Sequence, residues 1–289
     1  MDPHARDVLK HRAMHTITRA LLALTLGCAA TLARAQDSPP RDFDVADVEA
    51  PPGLGAMDVE WKRIETTRSG AMLAAIAKPR GTGPFPTLVL VHGSHGFARE
   101  YVHLAREIAS QGFLVVAACW FRGGERGDGA VSEPIDCPDA IDMPPGPSDA
   151  ARNAVNDLVS AVRSLPDARP DLIAIFGHSR GAGATINYLV HGGPADAAIV
   201  ESSGYDDSYV AGAPHVRARV LVLHGLADTG NPATAPDRAR AFVDALRTAK
   251  LKPEAHFYKA GTHNALFTDR EQHDDEVRRI VAFLRKTLK

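Results

Sequence analysis

Cysteine is scarce in this chain, three residues in 289, and no Cys/His spacing of the zinc-binding type occurs. A structural metal is therefore not expected. The phosphate-cradling pattern G-x-x-x-x-G-K-[ST] is also missing, which argues against a nucleotide enzyme. Charge of one sign is not in excess: 33 Lys+Arg stand against 35 Asp+Glu, a net of −2, with no basic stripe for nucleic acid. There is no internal repeat. An uncharged, mostly apolar run covers residues 20–32, too short to span a bilayer comfortably. What remains is a chain that is 45% hydrophobic and 24% charged, enough to bury one large α/β core as a single domain.

The apolar run follows Arg19 and precedes Ala33-Arg34-Ala35, a small-x-small pattern. Residues 1–35 are accordingly expected to be a signal peptide, with Gln36 the first mature residue and the protein periplasmic or secreted. Met14 is a candidate true start, since residues 14–19 form a short basic n-region. Two alternatives stay open: a lipoprotein at Cys28, behind the poor lipobox Thr25-Leu26-Gly27, and an uncleaved anchor. With the signal removed, the chain is mildly acidic and no stable membrane insertion is expected. Cys119 and Cys137 then remain as an even pair in an oxidising compartment, and a disulfide between them is expected, with a buried free Cys119 and an exposed Cys137 as the alternative.

Residues 36–56, proline-rich and polar, suggest a flexible linker, and residues 57–289 the folded domain. Residues 59–67 and 71–79 form an expected antiparallel pair around Ser69-Gly70. Residues 85–91, 113–120, 172–176, 197–200, 220–223 and 255–258 have the composition of buried strands. Helical spacing covers residues 99–111, 149–165 with Ser148 as N-cap, 232–250 and 275–288. This alternation predicts a doubly wound sheet. The long loop 121–147 leaves the carboxyl end of a strand, where ligands bind in such sheets, so Arg122, Arg126 and Asp128 are candidate substrate contacts or simply a solvated face.

Gly177-His178-Ser179-Arg180-Gly181 follows the apolar run 172–176 and precedes a helix-compatible stretch. That context predicts a nucleophile elbow, with Ser179 exposed on a strained turn and small flanking residues where Cβ atoms would clash. A base and an acid should follow at later strand ends. Asp228 lies in the loop His224-Gly225-Leu226-Ala227-Asp228, and His263 in the loop Gly261-Thr262-His263-Asn264, so these are the candidates, with Asp206 and Asp207 as fallback acids. Two backbone N–H donors for an oxyanion are expected from Arg180 and from Ser94 in the turn His92-Gly93-Ser94-His95-Gly96. His92, His95, His178 and His224 fit packing or loop hydrogen bonds, and Glu201 could face the pocket or bond to neighbouring backbone.

Taken with Gly83-Pro84-Phe85-Pro86 leading into L-V-L-V-H-G, these motifs resemble the dienelactone hydrolase-related branch of the α/β-hydrolase superfamily over residues 57–289. The resemblance implies an eight-stranded, mostly parallel sheet with helices on both faces and a Ser or Cys nucleophile with Asp and His. The dienelactone hydrolases proper carry cysteine in the elbow; position 179 is serine, which favours general carboxylic esters, small acyl or lactone-type, as the small-molecule partner. No cofactor or metal is expected. The alternatives are a serine peptidase, since prolyl-oligopeptidase-like catalytic domains are similar to this arrangement, and a non-catalytic binding protein of the same fold.

Overall fold

Strands with apolar residues on both faces dominate the middle of the chain, and a sheet made of them needs helices on both sides. In the computed structural model, which describes residues 43–54, 57–124 and 131–289, that is the arrangement. In chain order the elements are β1 (Asp44–Asp47), β2 (Glu60–Glu65), β3 (Ala71–Ala77), β4 (Phe85–Val91), α1 (Arg99–Ala109), β5 (Leu114–Ala118), α2 (Asp149–Arg163), β6 (Ala168–His178), α3 (Arg180–Val190), β7 (Ala197–Glu201), α4 (Asp207–Gly212), β8 (Arg219–Gly225), α5 (Pro236–Thr248), β9 (Glu254–Tyr258), α6 (Ala265–Thr268) and α7 (Arg270–Thr287). They build one sheet in the order β1-β2-β3-β5-β4-β6-β7-β8-β9. The first strands pair antiparallel, up to β3 against β5, and the rest are parallel.

Alternate residues of each central strand enter alternate cores, as the two-residue period of a strand requires. Val89, Val91, Ile173 and Ile175 pack with α2, α3 and α5. Leu88, Leu90, Ala174 and Phe176 pack on the other face with α1 and α7. Ser148 does cap α2, accepting from Ala151 N at 3.2 Å.

Three expectations need correction. The sheet has nine strands among the described residues rather than eight, because part of the presumed linker 36–56 pairs as β1, with Val45 opposite Ile64. As an edge strand, β1 is mostly exposed and carries no apolar alternation to betray it. Helix α7 starts at Arg270, not at 275: Asp269 caps it by accepting from Gln272 N at 2.9 Å, and the polar first turn hid it from an apolar-period reading. The stretch 232–250 divides into a 3₁₀ turn, Pro232–Thr234, and α5, whose first residue is Pro236.

The long loop is fastened at several points. Arg122 N donates to Ile141 O at 2.8 Å and Ile135 N to Phe97 O at 2.6 Å. Cys119 and Cys137 form the disulfide, with their Cα atoms 6.5 Å apart. Arg126 and Asp128, like residues 1–42, lie outside the described residues.

Candidate active site

The carboxyl ends of β6, β8 and β9 bring three loops together. Strand β6 runs out through His178 into Ser179, whose backbone sits at φ 53°, ψ −117°, and α3 begins at the next residue. A non-glycine residue in that region is strained by roughly 1–3 kcal/mol and persists only where its surroundings hold it. Here Ser179 N donates to Glu201 O at 2.9 Å, and Gly183 N donates to Ser179 O at 3.1 Å. The glycines are sterically required: a Cβ on Gly177 would stand 2.5 Å from Gly181 O, and one on Gly181 would stand 2.2 Å from Val91 O.

The acid loop after β8 and the histidine loop after β9 are bound back to back. Leu226 N donates to Tyr258 O at 2.8 Å and Ala227 N to Gly261 O at 2.9 Å. A Cβ on Gly225 would meet Gly261 O at 2.1 Å. This close approach sets Asp228, 4% exposed, beside His263. His263 Nδ1 lies 2.7 Å from Asp228 Oδ2, and His263 Nε2 lies 2.8 Å from Ser179 Oγ. A carboxylate can only accept, so Nδ1 carries the ring proton and Nε2 is left to accept from the serine hydroxyl. Thr234, which no sequence motif marks, has its hydroxyl 2.9 Å from the other carboxylate oxygen, Oδ1, and 3.2 Å from Asn231 O, and donates to the nearer.

The turn after β4 packs against the same serine: a Cβ on Gly93 would come within 3.1 Å of Ser179 Cβ. Ser94, next in that turn, accepts from Arg180 Nε at 2.9 Å, and Arg180 Nη1 donates to Pro144 O at 3.0 Å. Arg180 thus ties the turn and the long loop to the elbow. Arg122 instead pairs at 2.7 Å with Asp142 on the exposed side of the loop.

The remaining candidates have structural partners. Asp206 caps α4, accepting from Ser208 N at 2.9 Å, and hydrogen bonding to the side chain and then the backbone of Ser208 holds its carboxyl below the usual range; Asp207 pairs with Arg238 at 3.2 Å. His92 is sealed against Phe121 and Trp120, and burial pushes it down to about 3. His95 Nε2 meets Glu100 Oε1 at 2.8 Å and its ring stacks on Tyr101. His224 Nε2 bonds to Thr234 O at 2.8 Å, steadying the residue that holds Asp228.

Two buried acids, Glu201 and Glu276, stand near these residues. Glu201 accepts from Ser202 Oγ at 2.5 Å, and burial, with Glu276 adding to it, raises its carboxyl well above the ordinary range. Burial also lifts Glu276 to about 7, although Gln272 Nε2 donates to it at 2.7 Å. A carboxyl raised in the folded state favours folding while both states are protonated, below about 4.5, and loses that contribution as pH rises through 7. Glu276→Gln is therefore expected to flatten the fall in melting temperature between about pH 4.5 and 7. An equal decline in the variant and the parent would refute the assignment.

Among the described residues, no group of three or more His, Cys, Asp or Glu side chains is arranged to hold a metal, and no helix is long and apolar enough to cross a membrane. A cavity of about 460 Å³ is lined by residues such as Lys62, Lys78 and Asp167 at the opposite end of the strands. It belongs to no part of this constellation.

A parallel sheet flanked by helices, with a strained serine, a carboxylate and a histidine on successive loops at its carboxyl edge, defines an α/β-hydrolase. The dienelactone hydrolase family model matches residues 72–287, and the chain belongs to that family. Solved structures agree on the fold. A Klebsiella pneumoniae protein assigned to the dienelactone hydrolases is 22% identical, with a TM-score of 0.60 over 74% of this chain and 92% of that one. A dienelactone hydrolase-like promiscuous phosphotriesterase from metagenomic libraries is 17% identical, with a TM-score of 0.61 over 86% and 99%. Pyrococcus horikoshii acylaminoacyl peptidase is 18% identical, with a TM-score of 0.62 over 80% of this chain but 42% of its own. A search of curated proteins found no significant match.

Proposed function

We propose that the protein is a serine hydrolase of carboxylic esters, with small acyl or lactone-type substrates, working through an acyl-serine intermediate. The observation that carries this is the alignment of Ser179 Oγ, His263 and Asp228 at 2.8 and 2.7 Å. His263 Nε2 takes the hydroxyl proton as Ser179 Oγ attacks the carbonyl carbon, and Asp228 holds the ring tautomer and stabilises the imidazolium. The N–H groups of Arg180 and Ser94 receive the oxyanion. Collapse of the tetrahedral intermediate expels the alcohol, which takes its proton from His263. Water then repeats the sequence on the acyl-serine, releasing the acid and restoring the serine.

The residue pattern at 20–35 supports export, and the Cys119–Cys137 disulfide suits an oxidising compartment. The test is labelling of the mature protein with a fluorophosphonate, peptide mapping, and a panel of p-nitrophenyl esters of increasing acyl length. Label on Ser179 with short-chain turnover is the expected result. Absence of label would put the binding-protein alternative first, and turnover of the amide analogue of a cleaved ester would favour a peptidase.

A further inference from the structure

His178, between the last buried residues of β6 and the elbow serine, is joined to both sides of the candidate site. Tyr101, on α1, places its hydroxyl oxygen 2.8 Å from Gly93 N and 2.8 Å from His178 Nδ1. An N–H can only donate, so the phenol oxygen accepts from Gly93 and its own proton is directed to Nδ1. The ring proton of His178 is then on Nε2, which faces His263 O at 3.5 Å and Glu201 Oε2 at 3.5 Å. Tyr101, His178 and Glu201 are fully buried, so no solvent competes for these groups. Contact is close throughout: a Cβ on Gly93 would stand 2.7 Å from His178 Nδ1, and the ring of Phe267 meets that of His178 edge-on at 5.1 Å.

We infer that Tyr101 and His178 are positioning residues that couple the turn bearing the proposed oxyanion donor to the backbone of the proposed base. This rests on the ester-hydrolase reading above. Gly93 immediately precedes Ser94, and the carbonyl facing His178 Nε2 is that of His263 itself. The neighbouring nucleophile carries the same ring as its preceding side chain, so the three reacting groups share one buried support. Contacts of 3.5 Å are long in the free enzyme and are of the kind that tighten as charge develops. Burial, reinforced by the nearby His263, holds His178 neutral, so it adds no charge against the imidazolium formed during turnover. Neither residue touches substrate; their effect is on where the donor and the base sit.

The experiment compares wild type, Tyr101→Phe, His178→Asn and His178→Leu, with Tyr188→Phe as control. Tyr188 also donates a hydroxyl, to Pro194 O at 3.1 Å, but at the far end of α3. Readouts are fluorophosphonate labelling at Ser179, kcat and KM on a p-nitrophenyl ester, the affinity of butylboronic acid, and the melting temperature. Since small misplacement of reacting groups costs up to about 100-fold, Tyr101→Phe is expected to lower kcat by about 10- to 100-fold with KM within about 3-fold. Boronic acid affinity should fall in proportion to kcat/KM, because it also reports the oxyanion donors and the histidine. Tyr188→Phe should keep kcat within about 2-fold, as a change with no contact to the site.

Tyr101→Phe with wild-type kcat, or with reduced kcat and undiminished boronic acid affinity, overturns the inference while labelled wild type leaves the ester-hydrolase reading standing. Unlabelled wild type overturns both. Should Tyr101→Phe fail to fold, the histidine variants decide: Asn retains an acceptor for the Tyr101 hydroxyl and should be about 10-fold more active than Leu, in line with one retained hydrogen bond. Equal activity in the two refutes the coupling.

Discussion

Ser179→Ala is expected to lower kcat on a p-nitrophenyl ester by about 10⁶-fold, the loss seen when a triad nucleophile is removed. Only Oγ is deleted, and no described hydrogen bond other than that to His263 Nε2, 2.8 Å away, depends on it. The fold should be untouched or slightly firmer, since alanine keeps the same backbone and the strain at φ 53° is held by Glu201 O and Gly183 N rather than by the side chain. Activity and fluorophosphonate labelling should therefore vanish with no fall in melting temperature. Turnover within 100-fold of wild type by a protein that melts normally would eliminate Ser179 as the nucleophile.

Asp228→Asn is expected to cost about 10⁴-fold in kcat, because the amide imposes the wrong histidine tautomer. The reason is visible in the second oxygen. Thr234 Oγ1 lies 2.9 Å from Oδ1 and 3.2 Å from Asn231 O; with its one proton on the nearer oxygen, the hydroxyl selects the amide oxygen for that position and turns the NH₂ toward His263 Nδ1. Nδ1 must then accept, the proton moves to Nε2, and the atom facing Ser179 Oγ becomes a donor that cannot take the serine proton. The check is kcat for the variant together with its melting temperature. A loss below 10-fold in a folded variant would show that Asp228 does not set the tautomer.

Much of this arrangement was legible in the chain because it follows from local chemistry. The elbow needs glycine at 177 and 181, and the structure shows the backbone atoms a Cβ would strike. Buried parallel strands must be apolar on both faces, so β4 through β8 stand out as hydrophobic runs. Elements with weak local signals were harder to place. β1 is exposed on most of its length, and the first turn of α7 is polar apart from what its cap requires. Thr234 and Tyr101 gave no motif at all: one falls in the stretch 232–250 with helical spacing and the other at an apolar-face position of α1, and each acquires its role from a partner on another loop or element.

By itself, then, the sequence determined the class of fold, the position of the elbow and the residue types on the two later loops, since periodicity, turn chemistry and the need for glycine act over a few neighbouring residues. The tertiary structure decided that Asp228, not Asp206 or Asp207, stands against His263, and it decided the tautomer of His263 and the buried contacts of His178. Those depend on which strand ends meet at the sheet's carboxyl edge and on the direction of individual hydrogen bonds, and hydrogen-bond direction is fixed by the partners that packing brings within 3 Å, not by spacing along the chain.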